Sequence, residues 1–117
     1  MKFELFSKLY QEAAEYADTD MYIGERGWQD WMEEYGDEEN SEKIVEILKV
    51  IYSLQKMNLR EMREANDMTI RAKFCEVYML KLRTVEDWEA GKSPVPESTK
   101  MLVAYSFFAG RGGIERR

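Results

Sequence analysis

The chain contains no histidine, a single cysteine, two prolines and no long apolar run. The absence of histidine excludes a His-based general base, a Ser/His/Asp triad and a His-ligated zinc or haem. Cys75 alone excludes an intrachain disulfide and every multi-thiolate metal site. Both prolines, Pro94 and Pro96, fall in one short stretch, where they forbid helix. No apolar segment approaches the roughly 18 residues of a membrane span. The first residues, Met1-Lys2-Phe3-Glu4-Leu5-Phe6, are charged from the start and show no signal-peptide apolar region. These absences lead us to expect a soluble cytoplasmic protein with no membrane partner, no cofactor, no bound metal and no enzymatic activity.

The 117 residues suit one domain, or a small domain with a helical arm, and a hydrophobic share of 44% is enough for a modest core. Charge is unevenly placed. Residues 1–49 carry 5 basic and 14 acidic side chains, a net of −9, whereas residues 50–117 carry 12 basic and 9 acidic ones, a net of +3. Such a step suggests two surfaces with different partners, or a solvated acidic face. The run Glu33, Glu34, Asp37, Glu38 and Glu39 lacks the alternate spacing and central glycine of an EF-hand loop, so it reads as solvated acid.

Apolar spacing predicts helices throughout and no strand. Phe3, Phe6, Leu9, Tyr10, Ala13, Ala14 and Ala17 follow a helical period from Met1 to about Ala17, with Asp18-Thr19-Asp20 as the stop. Gly24 and Gly27 then bracket a loop before a short helical segment, Trp28 to Tyr35, with Trp28, Trp31, Met32 and Tyr35 on one face. Ser41 or Asn40 caps the strongest helix, whose stripe runs through Ile44, Val45, Ile47, Leu48, Ile51 and Tyr52. Asn58 caps the segment from Leu59 to Ala65, and Thr69 caps the segment from Ile70 to Tyr78. A turn near Met79-Leu80-Lys81 precedes a helix from Leu82 to Ala90, closed by Gly91. A last helix runs from Thr99 to about Phe108, with Met101, Leu102, Tyr105 and Phe108 on one side, and the glycine-rich tail should be loose. The division that follows is an acidic helical arm over 1–40, a helical domain over 41–109 and a flexible tail over 110–117.

Residues 58–108 resemble the Cro/C1 (XRE-type) helix-turn-helix repressors. The resemblance lies in Thr84, Val85, Trp88, Glu89, Gly91, Lys92 and Pro96, which match a recognition helix reading T-[VI]-x-x-W-E-x-G followed by a basic residue and a proline-containing loop. Upstream, Leu59-Arg60-Glu61-Met62-Arg63 is similar to the family's opening helix, and Phe74-Cys75 stands where the family has a bulky apolar residue and then alanine. The implied architecture is all-α: a multi-helix bundle containing a lambda-repressor-like helix-turn-helix domain with an N-terminal helical extension. Two departures stand out. Met79 and Lys81 replace the glycine and the polar cap of the family's turn, which argues for a different turn, because a left-handed backbone is costly for methionine. Thr69, rather than Ile70, is the natural cap of the preceding helix, one residue out of register.

In this alignment Val85 and Trp88 face a small core with Phe74, Tyr78 and Met101 or Leu102, and Trp88 is its chief anchor. Cys75 points inward as a buried structural thiol. The resemblance implies double-stranded DNA as partner, with Lys81, Arg83 and Thr84 reaching base edges from the start of helix 82–90. Arg71 is implied as a phosphate anchor, and Lys73 and Lys92 add positive charge nearby. Such readers bind paired half-sites, so a homodimer through the N-terminal helices is implied as well. Glu86 and Asp87, on the exposed side of the same helix, oppose phosphate. A different reading therefore stays open: a protein-interaction module, or an acidic nucleic-acid mimic of phage or mobile-element type, whose acidic arm meets a basic protein partner.

Overall fold

The structure is a computed structural model, and it describes residues 1–110. Seven α-helices follow in order: α1 (Phe3–Ala13), α2 (Thr19–Gly24), α3 (Glu42–Lys56), α4 (Leu59–Ala65), α5 (Arg71–Tyr78), α6 (Leu82–Glu89) and α7 (Glu97–Gly110), with a 3₁₀ turn at Asp30–Glu34 before α3. Among the described residues there is no strand, so the molecule is an all-α multi-helix bundle. The loose tail expected over 110–117 lies, beyond Gly110, outside the described residues.

Helix α3 is central because its apolar stripe is wide. Ile44, Ile47, Leu48, Ile51, Tyr52 and Leu54 are all buried, and the helix packs against α1, α2 and α7. Helix α1 closes over this stripe with Phe6, Leu9, Tyr10 and Ala13, and it also meets α7. Aromatic rings fill that junction: Phe6 lies 5.1 Å from Tyr105 and 5.3 Å from Phe108, centre to centre. Tyrosine hydroxyls tie neighbouring elements together through backbone carbonyls. Tyr22 donates to the Leu9 carbonyl at 2.8 Å, Tyr52 to that of Tyr16 at 3.0 Å, and Tyr105 to that of Met1 at 2.8 Å. The stretch expected as an arm is thus packed against α3 and α7.

Several boundaries differ from the sequence reading, each for a local reason. Helix α1 ends at Ala13 rather than near Ala17, and the next residues tighten into i→i−3 bonds such as Tyr16 N–H to Ala13 at 3.3 Å. Asp18 is a start signal as well as a stop: its carboxylate accepts from the Met21 N–H at 2.8 Å and caps α2, a helix not expected from the sequence. The segment expected to be helical over 28–35 is a 3₁₀ turn; it buries Met32 and Tyr35 and leaves Trp28 exposed. The chain then doubles back so closely that a Cβ on Gly36 would stand 2.5 Å from the Asn40 carbonyl oxygen.

In the second half, Asn58 and Glu61 form the reciprocal cap of α4: the Asn58 side chain accepts from the Glu61 N–H at 2.8 Å, and the Glu61 side chain accepts from the Asn58 N–H at 2.9 Å. Thr69 does not cap α5. Ile70 is the N-cap, with no side-chain bond. The turn after α5 is also the one that the loss of glycine argued against. Met79 takes φ 57° and ψ 40°, the Leu80 N–H donates to the Cys75 carbonyl at 2.9 Å, and the methionine side chain points into solvent, 92% exposed. Asp67 after α4 and Gly91 after α6 are left-handed too, with the same closing bonds, Met68 N–H to Arg63 at 3.0 Å and Lys92 N–H to Asp87 at 2.9 Å.

The buried face of α7 overlaps the expected one at Phe108 and is rotated away from Leu102. Val103, Ala104, Phe107 and Phe108 are buried, Leu102 is exposed, and Met101 and Tyr105 are half-buried. The enclosed residue of α6 is Val85; Trp88 packs against the core only partly covered.

Candidate nucleic-acid interface

Helices α4, α5 and α6 meet around one buried guanidinium. Arg63 follows the inward-facing Met62 in the last turn of α4 and is 2% exposed, an environment that tolerates a charge only if it is paired and fully hydrogen-bonded. Glu89, at the end of α6 and one turn beyond buried Val85, meets it. Arg63 donates from Nε to Oε2 and from Nη2 to Oε1, both at 3.1 Å. Its remaining donor, Nη1, serves the Met68 and Thr69 carbonyls at 2.9 and 2.7 Å, holding the turn between α4 and α5. Arg71, the first residue of α5, adds a third bond to the same carboxylate, Nε to Glu89 Oε1 at 3.0 Å. One carboxylate therefore fixes three helices relative to each other. Beside it, Cys75 is buried; burial pushes its thiol up, and the Glu89 carboxylate pushes in the same direction.

This scaffold sets the outer face of α6. With Val85, Trp88 and Glu89 turned inward, Leu82, Arg83 and Glu86 are exposed and Asp87 is half-buried. Arg83 is 81% exposed and lies 3.5 Å from the Asp87 carboxylate one turn on. Glu86 stands 3.7 Å from Arg71, so Arg71 faces two carboxylates while a third of its side chain stays open. Lys81 is the N-cap of α6 and exposed; Lys73 is exposed on α5; Thr84 is half-buried.

A surface cleft beside α6 gathers Arg71, Arg83 and Lys92 with Arg60, and Glu86 and Asp87 share its lining. Three of the six residues expected from the sequence thus come together there, and Lys73, Lys81 and Thr84 lie outside it. Arg60 was not expected. Its only sequence signal is an i, i+4 pairing with Glu64, which the structure has at 3.4 Å, and its meeting with Lys92 depends on how three turns fold. The Arg63–Glu89 pair was likewise missed, although both residues belong to the quoted motifs. The available signal was an arginine and a glutamate on the apolar side of their helices.

In the first half the charges behave differently. Arg26 bonds Glu12 at 2.7 Å and lies 4.4 Å over the Tyr22 ring. Among the described residues, Glu33, Glu34, Glu38 and Glu39 are exposed and form no ion pair. No described helix is long and apolar enough to cross a membrane, and no cluster of three potential ligands stands in metal-binding arrangement among the described residues. Compared with protein-family models, with curated proteins and with solved structures, the chain matches none.

Proposed function

We propose that this chain is a sequence-specific DNA-binding protein, a small transcriptional regulator of the Cro/C1 (XRE-type) kind that lays α6 in the major groove. The observation that carries the reading is the pairing of α5 and α6 through the short left-handed turn at Met79, with Lys81 and Arg83 exposed at the start of α6, Arg83 beside Asp87, and a cleft that holds three arginines and Lys92 next to them. A helix anchored on its inner side by Val85 and Glu89, with Lys81 and Arg83 exposed at its N-terminal end, suits contact with base edges. Arg60, Arg71 and Lys92 flank it where phosphates would run. Lys73 adds to the field, and a homodimer through the N-terminal helices would present two such helices to paired half-sites.

Fluorescence titration against selected and scrambled duplexes at two salt concentrations tests the reading. Arg83→Ala should cost roughly 1–3 kcal/mol on the preferred site and relax specificity there. Lys92→Ala should weaken binding to every sequence alike and lower the salt slope by about one unit. Glu86→Gln, which removes a carboxylate from the phosphate side, should tighten binding to random duplex.

The unpaired acids from Glu33 to Glu39 favour a second reading, in which the acidic surface engages a basic protein partner or imitates nucleic acid. Absence of duplex binding even at low salt would put that reading first.

A further inference from the structure

Beside the cleft lies a second hollow, which the duplex reading does not use. It is a cavity of about 250 Å³ between the start of α4 and the end of α6. Leu59, Trp88 and Val95 supply its apolar lining; Leu59 is buried, and the other two pack against the core only partly covered. Asn58 and Arg60, both exposed, line it as well, and Glu89 is shared with the cleft. Its walls are stiff. The reciprocal Asn58–Glu61 cap fixes the first turn of α4, and the Arg63–Glu89 pair fixes the end of α6. Val95 stands between Pro94 and Pro96, whose rings restrict the backbone on either side of it. A pre-formed hollow of apolar side chains with one cation among them has the character of a small-molecule site.

The lining also selects the ligand. Trp88 suits a planar ring, which stacks on an indole in an offset arrangement. An apolar cavity of about 150 Å³ is enough for benzene, so this one has room for a ring and a polar group. Arg60 is the cation in the lining, and a guanidinium grips a carboxylate through two parallel bonds. Its partner Glu64 stands 3.4 Å away, with both side chains open to solvent, so exchanging it for a ligand costs little. Glu89 does not repel such a ligand, because Arg63 and Arg71 neutralise it. A second negative charge, by contrast, is opposed by Glu86 and Asp87 in the adjoining cleft. We propose that the cavity binds a small aromatic monocarboxylate as an effector, with its ring against Trp88 and its carboxylate on Arg60. By taking Arg60 from the phosphate side, the ligand lowers affinity for duplex. That consequence rests on the duplex reading above, whereas the site itself does not.

Benzoate is the probe, followed in the full chain by amide and indole N–H chemical shifts without DNA, against acetate at equal ionic strength. The expected result is a saturable shift at the Trp88 indole, at Leu59 and at Val95, with a dissociation constant of about millimolar order. The indoles of Trp28 and Trp31 should not move. Arg60→Ala, at an exposed position and first shown by thermal melting to be folded, should weaken benzoate roughly tenfold and leave neutral benzyl alcohol unchanged. Val95→Phe, which fills the cavity and leaves Arg60 in place, should abolish the binding of both. In a duplex titration, benzoate should weaken the parent severalfold and leave Val95→Phe unaffected. Shifts that acetate reproduces, or that survive in Val95→Phe, overturn the site and leave the duplex reading standing. Saturable benzoate binding that leaves duplex affinity unchanged overturns the effector role. Saturable binding by a protein that takes no duplex at all overturns the duplex reading and keeps the site.

Discussion

In α1–α3 the interior is aliphatic and aromatic, and most of the acidic side chains stay in solvent. In α4–α6 the helices are short, and the element that holds them in register is a buried arginine with a carboxylate across from it. The difference follows from what each region can bury. Helix α3 has 15 residues and six buried apolar side chains, so packing alone positions its neighbours. Helices α4, α5 and α6 have 7, 8 and 8 residues and bury only one to three residues each. Directional bonds supply the orientation that their small contact areas do not. The same contrast separates the surfaces: among the described residues the acids from Glu33 to Glu39 form no ion pair, whereas Arg60, Arg71 and Arg83 are matched against nearby carboxylates.

The comparison can be broken most severely by removing residues 1–40. That deletion takes Phe6, Leu9, Tyr10 and Ala13 off α3 and α7, so the remaining fragment should lose its cooperative thermal transition in circular dichroism. A sharp melt would instead show the C-terminal region to be independent. Next in size is Glu89→Ala, which strands the Arg63 charge in the interior and should cost about 3–5 kcal/mol in urea denaturation. A loss below about 1 kcal/mol would mean that packing, not the ion pair, holds α4 to α6. Trp88→Ala should cost roughly 2 kcal/mol, less than the ~3–5 kcal/mol of a fully enclosed aromatic, because the indole is only partly covered. The smallest effect has the opposite sign. Met79→Gly should stabilise by about 1 kcal/mol, since it relieves a left-handed backbone and gives up a side chain that touches little.

What could be read from the sequence was whatever repeats locally. The stripe of α3, the Asn58 cap, the inward Cys75 and the all-helical class all depend on spacing within one or two turns. What could not be read depends on neighbours distant in sequence or on competing local signals. Asp18 serves equally as a stop and as a cap, and only the packing of Tyr22 under α1 and against the ring of Tyr52 decides for a helix. The glycine rule failed at Met79 because the bonds at the end of α5 require αL there and the exposed side chain meets no obstacle. Pattern placed Phe108 correctly and Leu102 wrongly and missed Val103, Ala104 and Phe107, because Met101 to Phe108 is apolar nearly all round and offers little polar side to orient it. At the candidate interface, Arg71, Arg83 and Lys92 were legible as charges near a motif. Their gathering with Arg60, and the Arg63–Glu89 pair beneath them, join residues up to 32 positions apart and needed the folded chain.

The central claim is that the paired, cationic end of the molecule meets duplex DNA and the unpaired acidic end does not. The most direct measurement is amide chemical-shift mapping of the whole chain during titration with a selected duplex at low salt. The account predicts shifts at Arg60, at Arg71 to Lys73, at Lys81 to Arg83 and at Lys92, and none from Glu33 to Glu39. Shifts confined to the acidic region on adding a basic protein, with none anywhere on adding duplex, would contradict it.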